Sequence, residues 1–251
     1  MINLKTPEQI KHIEASCHLL AELFDSLEHV VVEGVTTKEI DSYCYQFIVR
    51  HKGTPAFLDY MGFPGSACIS INEQIIHGIP GKRKLIEGDL VSIDLGINLD
   101  GYFSDSARTF IIGKAKEEHK KLVRVTSECL VLGIEGAGKP NARMHDISGA
   151  VFKHADANGF SVVRDYCGHG VGLALHEDPQ VPNYVSPFGA NVRLRAGMVL
   201  AVEPMINLGT KNIRHLDDGW TVVTADGKPS AHFEHTIAIT EDGVKILTSL
   251  E

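Results

Sequence analysis

A chain of 251 residues, 43% apolar and 22% charged, is long enough to bury a core without disulfides acting as staples. Its formal charge of −8 argues against a general nucleic-acid or anionic-membrane binder, which needs a net basic face, and no run reaches the ~20 apolar residues of a membrane span. Five cysteines, with no C-x-x-C pair, read as reduced thiols. The polar opening Met1-Ile2-Asn3-Leu4-Lys5 lacks the apolar run of a secretory leader, so a cytoplasmic protein is expected.

Thr6-Pro7-Glu8-Gln9 predicts a helix start: Thr6 caps, Pro7 suits the first turn and Gln9 closes a capping box. Ile10, Ile13, Cys17, Leu20, Phe24, Leu27 and Val31 then recur at three and four, burying one face. Thr36 to Glu39 repeats the capping signal and leads a second helix towards Gly53. Lys82-Arg83-Lys84, after Pro80-Gly81, reads as a solvated turn. Further helical patterns cover about 116–134 and 142–158, the latter stopped by Gly159. Strand-like runs rich in β-branched residues occupy 67–71, 90–95, 107–112, 198–202, 221–224 and 236–239. No linker divides them. The expectation is one catalytic domain, 1–251, with internal halves of roughly 1–125 and 126–251.

The order of helices then strands occurs twice. Gly88-Asp89-Leu90-Val91-Ser92-Ile93-Asp94 aligns with Gly197-Met198-Val199-Leu200-Ala201-Val202-Glu203: a glycine, a buried strand, an acid at its end. Later in each half a second acid leads into a strand, Asp105 before Ala107 and Glu234 before Thr236. Taken singly, each acid is explained by a turn or a neighbouring base, such as Arg108 beside Asp105. Four in repeated placement suggest a shared centre, and a divalent metal is the partner that makes clustered carboxylates tolerable. Gly168-His169-Gly170-Val171-Gly172 adds an imidazole on a glycine-rich strand where backbone can approach closely. His77, before Gly78, and His176, before Glu177, stand in comparable settings.

Together, Ile71-Asn72-Glu73 with His77-Gly78-Ile79-Pro80, Asp94 with Asp105, Gly168 to Gly172, His176-Glu177, Glu203-Pro204-Met205 and Glu234-His235-Thr236 resemble the type I methionine aminopeptidases. The resemblance runs from Thr6 onward. It implies an α+β pita-bread fold, two pseudo-symmetric halves around a dinuclear site. It also implies metal ligands Asp94, Asp105, His169, Glu203 and Glu234, with Asp105 and Glu234 bridging. Water activated between the ions would attack the carbonyl of the first residue, Glu203 acting as general base, His176 bonding the carbonyl oxygen and His77 contacting the nitrogen side. Tyr60, Phe63, Cys68 and Trp220 would line a methionine pocket; ordinary core packing is the alternative for each. Phe57 and Leu175 depart from the common bacterial pattern beside that pocket.

A monovalent cation at Asn72, Gln74 and Ser230 is also implied. The implied substrate is the N-terminal methionine of nascent proteins with a small second residue. A monomer is expected, with transient ribosome contact and neither nucleic-acid substrate nor membrane. Four carboxylates, one imidazole and no thiolate favour Fe(II), Mn(II) or Co(II), with Zn(II) as an alternative. Two other readings share the fold: an Xaa-Pro peptidase, which usually carries an additional N-terminal domain, and a non-catalytic binding module, which loses ligands.

Overall fold

The computed structural model describes residues 1–187 and 189–250 and repeats one plan twice. Each half opens with a long helix and a shorter one: α1 (Pro7–Leu27) and α2 (Thr37–Arg50), then α3 (Glu117–Ala137) and α4 (Met144–Ala157). The long helices have 21 residues each and the short ones 14. Both capping boxes expected in the first half are formed, at Thr6–Gln9 and Thr36–Glu39. α1 ends at Leu27, earlier than its apolar pattern suggests, because Val31 reaches the core from the following turn. The division expected near residue 125 falls inside α3; the second half's plan begins at Glu117, after the left-handed Gly113.

The first half's sheet is antiparallel: β1 (Cys68–Ile71) pairs with β2 (Leu90–Leu99), which pairs with β3 (Tyr102–Ile111). These last two strands run further than the sequence suggests. Gly96, Asn98 and Ser104 interrupt the apolar pattern, but Asp100 and Gly101, at φ 53° and 88°, form the two-residue turn that joins a tight hairpin. In the second half, β4 (Gly168–Gly170), β5 (Glu177–Val181), β6 (Val199–Val202), β8 (His235–Thr240) and β9 (Gly243–Ile246) form one sheet in the order β9-β8-β6-β4-β5. β7 (Ser230–His232) lies in a smaller sheet just before β8. Gly88 and Gly197 precede the two acid-bearing strands with φ of 93° and 92°, so the repeat seen in sequence is also a repeat of backbone conformation.

Apolar side chains of α1 and α2 pack on the first sheet around Leu20, Leu23, Phe24, Val91 and Ile93. α3 and α4 cover the second sheet around Ile134, Ile147, Leu200, Val202 and Ile237. All five thiols are free. Among the described residues no helix is long and apolar enough to cross a membrane.

The halves meet along a polar seam between β3 and residues 232–236. Thr109 Oγ1 donates to the His232 carbonyl at 2.8 Å and accepts from its N–H at 2.9 Å. Glu234 N–H donates to the Ala107 carbonyl at 2.9 Å, and Ser106 Oγ to the Glu234 carbonyl at 2.8 Å. Thr236 Oγ1 donates to the Asp105 carbonyl at 2.7 Å and accepts its N–H at 3.2 Å. The contacts advance two residues at a time in opposite directions, so the seam has antiparallel register, with Glu234 facing Ala107 and Asp105 facing Thr236, which sets the two acids diagonally across it. Thr236 is fully buried. Thr236→Val keeps the shape but orphans both Asp105 backbone groups, and unfolding in urea should show a loss of about 2–4 kcal/mol.

Candidate metal centre and active site

Asp94 leaves β2 opposite Ala107, and Asp105 leaves β3 opposite Gly96. Glu203 follows β6 directly, and Glu234 precedes β8, whose His235 pairs with Val202. The seam brings the four acids from two sheets to one floor. Asp105 and Glu234 are buried, at 3% and 2% exposure, while Asp94 and Glu203 open partly into a cavity of about 790 Å³. Arg108 does not neutralise Asp105. It lies over the Phe24 ring and donates to Asp25 at 3.1 Å, so the simple ion-pair explanation of Asp105 fails.

His169 stands on β4 between two glycines that cannot be replaced without moving backbone. A Cβ on Gly168 would come within 2.2 Å of the Ala201 carbonyl oxygen, and one on Gly170 within 2.3 Å of the Asp178 oxygen. This close approach sets the imidazole over the acids. Its Nδ1 lies 2.9 Å from the Gly170 carbonyl, which can only accept, so the ring hydrogen is on Nδ1. Nε2 therefore presents a lone pair, 3.7 Å from Asp105 Oδ2 and 3.6 Å from Glu203 Oε1.

A lone pair facing carboxyl oxygens at separations too long for a hydrogen bond is the arrangement of ligands around a cation. Three further observations agree. Donor atoms of Asp105, His169 and Glu234 lie within 4.8 Å of one another. Asp94 Oδ1, Asp105 Oδ1 and Glu234 Oε1 are buried without a hydrogen-bond partner among the described residues. Burial and mutual repulsion push the Asp105 and Glu234 carboxyls well above their ordinary range, while burial chiefly raises Asp94 to about 7 and Glu203 to about 8. These residues fit a divalent metal, which would replace the missing partners and hold all four acids ionised.

The other expected residues surround this floor. His77 takes the left-handed conformation, φ 58°, next to a glycine whose Cβ would lie 2.2 Å from the Ile69 carbonyl oxygen. Burial, with help from neighbouring imidazoles, lowers its pKa to about 4, so the ring is neutral at pH 7. His176 is exposed at the cavity mouth, its ring centroid 4.2 Å from that of His169 and its Nδ1 2.9 Å from the Tyr60 hydroxyl. Phe63, Cys68 and Leu175 form a small apolar cluster with Phe57, and Trp220 packs edge-on against Phe63 at 5.2 Å. Burial keeps the Cys68 thiol protonated, an apolar wall rather than a ligand. Phe57 fits because Gly96 lies under it: a Cβ there would meet the Phe57 ring at 2.9 Å. Asn72, Gln74 and Ser230 are neighbours away from the acids, where Ser230 N–H donates to the Asn72 carbonyl at 2.8 Å and Gln74 Oε1 accepts from Ile71 N–H.

Two further residues at the site carry no distinct mark in the sequence. His232 is fully buried, with Nε2 3.6 Å from Glu203 Oε2, the oxygen opposite the one that faces His169. Its signal was period-two spacing from Glu234. Tyr166 lines the cavity and meets the His77 ring edge-on at 5.6 Å, a contact no local pattern announces.

The model of metallopeptidase family M24 matches residues 11–241. The chain belongs to that family. An M24 relative named methionine aminopeptidase, from Clostridium perfringens, is 50% identical over all of both chains. The crystal structure of a methionine aminopeptidase from Rickettsia prowazekii superposes with a TM-score of 0.96 at 40% identity, covering 99% of this chain and 100% of that one. An Xaa-Pro dipeptidase from Bacillus anthracis shares the fold, with a TM-score of 0.77 at 20% identity, but this chain covers only 62% of its length. The M24 pita-bread fold is thus the repeated two-half plan described above.

The raised carboxyls make a pH test of the M24 centre. Free in an unfolded chain, Asp and Glu release their protons near pH ~4. Asp94 and Glu203 hold theirs to about 7 and about 8 in the metal-free fold. The fold therefore binds more protons than the unfolded chain, and this contribution to stability is lost as pH rises through those values. His77 and His169, lowered to about 4, act oppositely, but only below roughly pH 6.5, where free histidine begins to charge. Between roughly pH 6.5 and 8 the carboxylates set the sign. Scanning fluorimetry on the metal-free protein should show Tm falling across that window, with the increment on adding Mn(II) larger at the upper end.

Proposed function

We propose that this M24 metallopeptidase removes the N-terminal methionine from peptides and nascent proteins whose second residue is small. The observation that carries the reading is the meeting of an acid-and-imidazole floor and a small apolar recess in one cavity. Full-length likeness to methionine aminopeptidases supports it. Two divalent ions would be held by Asp94, Asp105, His169, Glu203 and Glu234, with Asp105 and Glu234 shared between them. Such ions polarise a carbonyl and make water a nucleophile at neutral pH. The oxygen-rich donor set favours Mn(II), Fe(II) or Co(II) over Zn(II).

Glu203 serves as general base. Held ionised by the metal it helps to bind, its carboxylate can take a proton from water and return one to the leaving amine. His176 bonds the carbonyl oxygen as charge develops there. A Tyr60 hydroxyl donating to Nδ1 leaves the ring hydrogen on Nε2, available for that bond. His77, neutral because it is buried, contacts the nitrogen side of the scissile amide. Phe63, Cys68 and Trp220 receive the methionine thioether and exclude water around it. Phe57 and Leu175 complete the same wall, a larger residue at one point and a smaller one at the other relative to the common bacterial pattern.

Two kinetic outcomes are expected. His176→Ala should lower kcat by about 10²-fold, leaving KM and metal content nearly unchanged, because the lost bond matters mainly in the transition state. Steady-state kinetics with metal analysis reads both quantities. Secondly, His77 and His176 both reach the scissile amide, which leaves little room for the next side chain. Met-Ala-Ser should be cleaved while Met-Lys-Ser and formyl-Met-Ala-Ser are nearly inert, the difference appearing in kcat/KM. Comparable rates on Met-Ala-Ser and Met-Lys-Ser would point to a broader aminopeptidase, and cleavage only before proline to an Xaa-Pro enzyme.

A further inference from the structure

The segment preceding α1 reaches across to the second half and ends on the two residues that follow His176. Lys5 Nζ donates to Glu177 Oε2 at 2.8 Å, with only 1% of the Lys5 side chain and 6% of the Glu177 side chain exposed. Asn3 Nδ2 donates to the same oxygen at 3.3 Å, and the Met1 ammonium donates to Asp178 at 2.5 Å. The backbone holds the segment in place: Lys5 N–H donates to the Gly197 carbonyl at 2.7 Å. Gly197 is left-handed, and a Cβ there would lie 2.9 Å from the Lys5 carbonyl oxygen. The Lys5 stem runs beside Gly172, where an added Cβ would meet Lys5 Cε at 3.4 Å.

Glu177 has a second task. Its Oε1 accepts from Leu173 N–H at 2.7 Å and Ala174 N–H at 3.1 Å, closing the turn that carries His176. One oxygen therefore shapes the turn and the other is anchored by a buried ammonium. A buried ion pair is a weak source of stability, since desolvation offsets much of the attraction, but it tolerates few geometries. His176 sits at the exposed end of this turn, where a ring without such an anchor would sample several orientations.

We propose that Lys5 is a positioning residue: through Glu177 it fixes the 173–177 turn so that the His176 ring faces the cavity, which makes the N-terminal segment part of the active site. The inference rests on the role given to His176 above.

The test is a double-mutant cycle. Lys5→Met keeps the stem and removes the charge; it is made alone and with His176→Ala, alongside Lys5→Arg. kcat and KM on Met-Ala-Ser, metal content and Tm are measured for each. Lys5→Met should lower kcat about tenfold or more, with KM within about threefold and metal content unchanged, and Lys5→Arg should restore most of the rate. In the His176→Ala background, Lys5→Met should bring no further loss in kcat, because groups that act as a unit are lost once. An unchanged kcat in Lys5→Met, or the same fold-loss in both backgrounds, overturns the positioning role while leaving that of His176 standing. Undiminished kcat in His176→Ala overturns the reading of His176 and this inference with it. If Lys5→Met does not fold, Glu177→Gln, which keeps an oxygen for the turn amides, is put through the same cycle and must show the same non-additivity.

Discussion

The site depends on the hydroxyl-rich seam that joins β3 to residues 232–236. Thr109, Ser106 and Thr236 each satisfy a buried backbone group of the facing half. Buried amides tolerate no slippage without orphaning donors or acceptors, so the seam fixes one register. In that register Asp105 and Glu234 stand together, both buried at the floor of the cavity. Two buried like charges repel, and burial alone already disfavours ionising either. The fold thus imposes an electrostatic conflict on its own centre, one that a cation resolves. Stability and function are coupled at this point, because the contacts that hold the halves together are also the contacts that crowd the acids.

The imidazoles are arranged so as not to compete with that cation. His169 donates its Nδ1 hydrogen bond to the Gly170 carbonyl, and desolvation keeps His77 and His169 neutral at pH 7. A protonated ring beside bound metal would be repelled; a neutral one can act as ligand or hydrogen-bond partner. The close backbone approaches at Gly168 and Gly170 serve the same end, since a side chain at either position would lift His169 away from the acids. His176 differs in kind. It stands on an exposed turn rather than a strand, and its orientation is held by side chains from afar, Tyr60 on one side and the Lys5–Glu177 pair behind it.

The apolar recess shows how close packing makes room for a large side chain. Phe57 and Leu175 belong to one cluster with Phe63 and Cys68. Gly96 provides the space beneath the Phe57 ring, since an added Cβ there would meet it at 2.9 Å. In an interior packed as densely as a crystal, a bulky ring at one position needs a missing side chain at its neighbour.

Much of this was legible along the chain. Capping boxes and three-four periodicity announced α1 and α2, because helix signals are local. The paired glycine–strand–acid pattern announced two acids per half, because a charge at the end of a buried strand needs a partner wherever it lies. The full length of the β2–β3 hairpin was hidden by Gly96, Asn98 and Ser104, whose suitability for a strand is decided by neighbours rather than by their own preference. His232 and Tyr166 escaped notice because a buried histidine and a core tyrosine look alike until their surroundings are known. Lys5 read as part of a polar opening, and only the packed fold shows its ammonium shut away against Glu177, more than a hundred residues further on. The sequence by itself determined which residues could serve as ligands, since donor chemistry belongs to the side chain. Tertiary structure alone decided which of them meet, which stay neutral and which hold the others in place, because desolvation, register and mutual repulsion exist only between segments brought into contact.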